Sequence, residues 1–198
     1  MAEATTAAMT PGHAARARAA VLPNGVAGML IFVVAELMFF AGLGTAFAVA
    51  RAGATMWPPL GQPRLPVEVT AVNTLVLLAS GVLLARAHVA FGRGEAGLAR
   101  WLTGAMLLGA VFVAVQGVEW VRLIGYGLTM TSSSFGAFFY LIVGAHALHA
   151  VGAILGLAYV RARLAAGTLT ASAFWAAEIF WAFVVGVWPF LYVSVYLG

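Results

Sequence analysis

From residue 25 onward the chain alternates long apolar stretches with short clusters of arginine, proline and glycine. Each apolar stretch runs for about 20 residues or more, the length an α-helix needs to cross a hydrocarbon core of roughly 30 Å. The pattern predicts five membrane-spanning helices, over residues 26–49, 67–90, 98–124, 133–160 and 171–197. The connection over 51–66 holds four of the seven prolines and cannot continue a helix. Asn24-Gly25 and Gly92-Arg93-Gly94 mark turns beside other spans. The expected fold class is an all-α integral membrane protein: a mobile cytoplasmic tail over 1–24, then a five-helix transmembrane bundle over 25–198.

Composition agrees with this reading and narrows the function. The 198 residues are 64% hydrophobic and 8% charged, against roughly one-quarter charged in a soluble domain. The net charge of +4 comes from arginines scattered between apolar segments, with no lysine, so no basic face suggests nucleic-acid binding. The absence of cysteine excludes disulfides, Cys-ligated metals and iron-sulfur clusters. Residues 1–23 carry Arg16 and Arg18 but lack the apolar core of a signal peptide. With Arg86, Arg93, Arg100, Arg161 and Arg163 they set the tail and the second and fourth connections on the cytoplasmic side. Arg51, Arg64 and Arg122 fall on the other side, so the N-terminus is expected inside and the C-terminus outside. Trp120, Tyr126, Tyr192 and Tyr196 would form an outer aromatic belt, and Trp101 and Trp175 an inner one.

Ionisable groups within spans cost several kcal/mol and normally face the bundle or a water-filled cavity. Glu36, Glu119, Glu178, His146 and His149 are therefore the candidates for proton-linked or lipid-linked roles, with Asn73 and Gln116 as structural polar groups. At ~1.5 Å of rise per residue, Glu36 and His146 lie at one depth, Asn73 and Glu119 at another, and His149 and Glu178 at a third. Each carboxylate thus has an expected partner at its own level, held as a hydrogen-bonded clasp between helices. His146 and His149 share one helical face and cannot approach a haem from opposite sides, while His88 lies near the inner membrane edge and His13 in the tail. No metal or haem site is expected in this chain, and no residue is assigned a catalytic role. Gly152 and Gly156 form a small-xxx-small pair suited to close helix packing, and Pro189 is expected to kink the fifth span.

These positions fall in a series. Glu36-Leu-Met-Phe-Phe-Ala-Gly, Trp57-Pro58-Pro59, Asn73-Thr74-Leu75 with Ser80-Gly81, Gln116-Gly-Val-Glu119-Trp120, Gly144-Ala-His146-Ala-Leu-His149 and Val187-Trp188-Pro-Phe-Leu-Tyr192 together resemble subunit III of the haem-copper oxidases. The order and spacing match from Gly25 onward. The resemblance implies a non-catalytic subunit without redox centres, beside catalytic subunit I of a terminal oxidase in a bacterial cytoplasmic membrane. Haem and copper would reside in partner subunits. The subunit would support proton uptake, bind phospholipid and stabilise the catalytic subunit, with Glu36 in the lipid-containing region. Longer family members have seven spans, and this chain has the five-span form. Where the family usually has Trp-His-Phe-Val-Asp, this chain reads Trp181-Ala182-Phe183-Val184-Val185, with Glu178 one turn earlier. A subunit-III-like protein associated with nitric oxide reductase remains an alternative. So does a small proton-coupled carrier, which the lack of internal repeats disfavours.

Overall fold

The computed structural model describes residues 23–198. The tail expected over 1–24, with His13, Arg16 and Arg18, lies outside the described residues except for its last two positions. The described residues form α1 (Asn24–Ala52), α2 (Val67–Arg93), α3 (Leu98–Gly125), α4 (Ser134–Ala165) and α5 (Ala171–Tyr192), the last continuing into a π-helical turn, Val193–Leu197. All five helices are long and apolar enough to cross a membrane. Their ends follow from local chemistry. The Ser133 hydroxyl accepts from Gly136 N at 3.0 Å to cap α4, and Thr170 caps α5 by accepting from Ala173 N at 3.3 Å. Gly94, at φ 65°, takes the left-handed turn that ends α2.

α2 packs on α3 and α5, α3 on α4, and α4 on α5, which closes a four-helix ring. α1 stands outside this ring against α5 and, more lightly, α4. Only Val26, Phe40 and Phe47 of α1 are buried. Its outer surface presents Ile31, Val34 and Met38, as α2 and α4 present Leu75 and Leu148. Such a surface is stable only where the solvent is itself apolar. The α1–α2 connection folds back through Trp57, whose ring lies 5.4 Å from both Phe47 of α1 and Phe135 of α4.

A series of aromatic donors on α5 ties it to α2. Trp181 Nε1 donates to Ser80 Oγ at 3.2 Å, Trp188 Nε1 to Thr74 Oγ1 at 2.8 Å, and the Tyr192 hydroxyl to the Val67 carbonyl at 3.2 Å. In hydrocarbon a polar tip without a partner is costly, so these bonds fix the register of the two helices.

Two structural expectations are corrected, that of the Gly152–Gly156 contact and that of Tyr196. Gly152 and Gly156 do not mediate a close contact: a Cβ at Gly152 would meet Phe180 at an ordinary 3.8 Å and one at Gly156 would meet nothing. The close approach is instead at Gly109, where a Cβ would collide with the buried indole of Trp181. α5 contains Pro189 near its end, and the π turn follows four residues later. Tyr196 is buried rather than in an outer belt, because its hydroxyl is taken by Gln116 inside the bundle. Tyr126 is exposed.

Candidate functional site

Three of the four carboxylates within the spans, Glu36, Glu119 and Glu178, each meet a group able to carry positive charge, while Glu68 stands in the first turn of α2. Near the middle of α1 and α4, Glu36 Oε2 lies 3.0 Å from His149 Nε2, with side-chain exposures of 19% and 14%. Phe32, Phe40, Phe180 and Phe183 surround the imidazole, Phe40 most closely with ring centroids 5.4 Å apart. His149 Nδ1 lies 2.7 Å from the Ala145 carbonyl. A carbonyl only accepts, so Nδ1 carries a hydrogen and Nε2 faces the carboxyl. One proton then joins Nε2 and Oε2, as imidazolium with carboxylate or as imidazole with carboxylic acid. Both forms are neutral as a pair, which the hydrocarbon tolerates. Gain or loss of a further proton would leave a net charge there.

The expected partner of Glu36 was His146, and the structure replaces it with His149. Residues three apart on a helix are separated by about 60° around its axis. That rotation turns His149 toward α1 and His146 into the ring, where it is 1% exposed. Its ring is 4.9 Å from that of Trp188, with Phe112 and Phe40 beyond, and neither nitrogen has a hydrogen-bond partner among the described residues.

The other two pairings also differ from the expectation. Glu178 pairs with His88 of α2, Oε2 to Nδ1 at 2.8 Å, and not with His149. Glu119 is held by Arg122, one turn along the same helix, at 2.7 Å, and not by Asn73. Asn73 Nδ2 instead donates to the Phe112 carbonyl at 2.9 Å and to Gln116 Oε1 at 3.3 Å, and Gln116 Nε2 donates to the Tyr196 hydroxyl at 3.2 Å. This chain stitches α2, α3 and the end of the fifth span together. His88, Arg122 and Tyr196 are thus polar partners missed from sequence. Only Arg122 carried a local signal, its i, i+3 spacing from Glu119.

Among the described residues no three or more His, Asp or Glu lie where they could jointly hold a metal ion. What the site offers chemically is two carboxyl–imidazole pairs held between helices, Glu36–His149 and Glu178–His88, and one carboxylate–guanidinium pair within α3.

The sequence model of the family described as Cytochrome c oxidase subunit III matches residues 7–198. The chain belongs to that family. It is 37% identical to a probable cytochrome c oxidase subunit 3 of Nocardia farcinica, over 97% of this chain and 98% of that protein. It is 35% identical to the cytochrome c oxidase subunit 3 of Corynebacterium diphtheriae over 88% of each chain. The subunit 3 of Synechocystis sp. is 33% identical over 86% of this chain but only 74% of its own length. Subunit III chains thus differ in length, and this one matches the shorter kind nearly end to end. Glu36–His149 joins α1 to α4, while Ala182 and Val185 lie together with Glu178 in a groove between α2 and α5.

Proposed function

We propose that this subunit III sits beside the catalytic subunit of a cytochrome c oxidase in a bacterial cytoplasmic membrane, and that the Glu36–His149 pair is its functional centre. As a haem-copper oxidase subunit III it works in association with other oxidase subunits. The names of its relatives favour an oxidase over a nitric oxide reductase assembly. The observation that carries the reading is the 3.0 Å contact between Glu36 Oε2 and His149 Nε2 in the middle of two spans, at the seam where α1 meets the ring. A carboxyl–imidazole pair there can take part in proton exchange only if each proton that leaves is replaced, since a net charge is costly at that depth. The same pair clasps the loosely held α1, so its loss would loosen the subunit where it meets surrounding lipid. Bound phospholipid, support of proton uptake and protection of the catalytic subunit are the roles that the family resemblance implies, and this pair is where we place them.

Deleting the subunit from the oxidase tests the reading. Oxygen reduction should begin near its normal rate, because haem and copper belong to other chains, and should then decay over repeated turnovers. Complete loss from the first turnover, with the remaining complex intact, would contradict it.

A further inference from the structure

Inside the ring, near the end where the fifth span finishes, a knot of buried polar side chains does not balance its own hydrogen bonds. Thr70 and Asn73 are 0% and 2% exposed, and Gln116 and Tyr196 are buried beside them. Asn73 Nδ2 donates to the Phe112 carbonyl and to Gln116 Oε1, but Asn73 Oδ1 accepts from no described residue. The Tyr196 hydroxyl accepts from Gln116 Nε2, which leaves its own hydrogen to find an acceptor elsewhere. Thr70 precedes Asn73 by one turn on the same face of α2, and its hydroxyl stands beside that phenol without completing a hydrogen bond to any described residue. One oxygen that must accept, one hydroxyl that must donate and one able to do either thus converge. In a low-dielectric interior each such group needs a partner.

Room for that partner adjoins the knot. A cavity of about 260 Å³ is walled by Trp57, Val67, Phe135 and Tyr196, and the exposed Arg64 lines it, so it opens at the protein surface. A water molecule occupies about 30 Å³ of liquid, so the cavity admits several. Tyr196 belongs to both the wall and the knot, because the π turn over Val193–Leu197 carries it. Thr70 follows Val67 by one turn, its N–H on the Pro66 carbonyl at 3.0 Å. The knot lies directly behind the cavity.

We propose that the ring binds an ordered water molecule at Thr70, Asn73 and Tyr196, admitted through this cavity. The water accepts from the Tyr196 and Thr70 hydroxyls and donates to Asn73 Oδ1, three bonds of the number a buried water typically makes. A neutral ligand is the one that fits. Glu119, one turn beyond Gln116, is already matched by Arg122 at 2.7 Å, so no charge in the knot calls for a cation. The water joins α2 to the π turn, where no direct hydrogen bond does so, and is as much a part of the bundle as the indole bonds of α5.

The test is a density map of the purified complex that contains this chain, fine enough to show ordered water. One peak should lie within hydrogen-bond distance of Thr70 Oγ1, Asn73 Oδ1 and the Tyr196 hydroxyl. Thr70→Val keeps the branched shape and removes one partner of the water. The peak should weaken or vanish, and the unfolding equilibrium constant of the subunit in detergent should rise about fivefold. A Thr70 hydroxyl without any partner gives the opposite sign, because its removal then relieves a buried orphan. No peak at the three atoms, a direct Thr70–Tyr196 bond in its place, or a Thr70→Val chain as stable as the unaltered one would overturn the site. So would a peak that grows when sodium is exchanged for caesium, which marks a cation. Should Thr70→Val fail to assemble, the map of the unaltered complex decides alone.

Discussion

Glu36 can be altered with little change in shape. Glu36→Gln keeps the size of the side chain, and its amide can donate to His149 Nε2, yet it cannot exchange the shared proton. The expected outcome is normal assembly with an altered pH dependence of turnover or an altered set of co-purifying phospholipids, read by oxygen consumption across pH and by lipid analysis of the complex. Normal assembly with both unchanged would leave only a mechanical clasp. The identity of this centre was half legible in the sequence. Counting residues along each span fixes depth, so it showed that every carboxylate should have a partner. Depth is one coordinate of three. It says nothing about which helices adjoin or how each is rotated, and those two quantities separate His149 from His146 and bring His88 to Glu178.

At the scale of helices, the spans were legible to within a few residues because hydrocarbon thickness and backbone hydrogen bonding leave few alternatives. How they pack was less so, since a glycine reveals its use only when its neighbour is known. Gly109 faces Trp181, and Gly156 faces open space. Gly109→Ala should therefore lower the unfolding free energy of the subunit in detergent by about 1–3 kcal/mol, the usual effect of overpacking. Gly156→Ala should fall within about 0.5 kcal/mol of the unaltered chain. Equal effects in the two would show that the α3–α5 contact does not have this geometry. The π turn at Val193–Leu197, which follows Pro189 in the same span, also carried no signal in the sequence.

For the whole molecule, the arginine distribution and the odd number of spans together predict the orientation. Reporter fusions should place residue 1 in the cytoplasm and residue 198 on the opposite side; both ends on one side would contradict the five-span topology. The bonds that close the ring join residues far apart in the chain, with Trp188 and Thr74 separated by 114 positions and Trp181 and Ser80 by 101. Thr74 and Ser80 meanwhile donate their hydroxyl hydrogens to carbonyls of their own helix, at Thr70 and Leu77, leaving lone pairs for the indoles. During synthesis α2 thus enters the membrane with these acceptors already oriented toward the final helix. Because that helix supplies the donors that close the ring, a chain without it leaves the bundle open, and closure becomes a maturation step that only a finished subunit can complete.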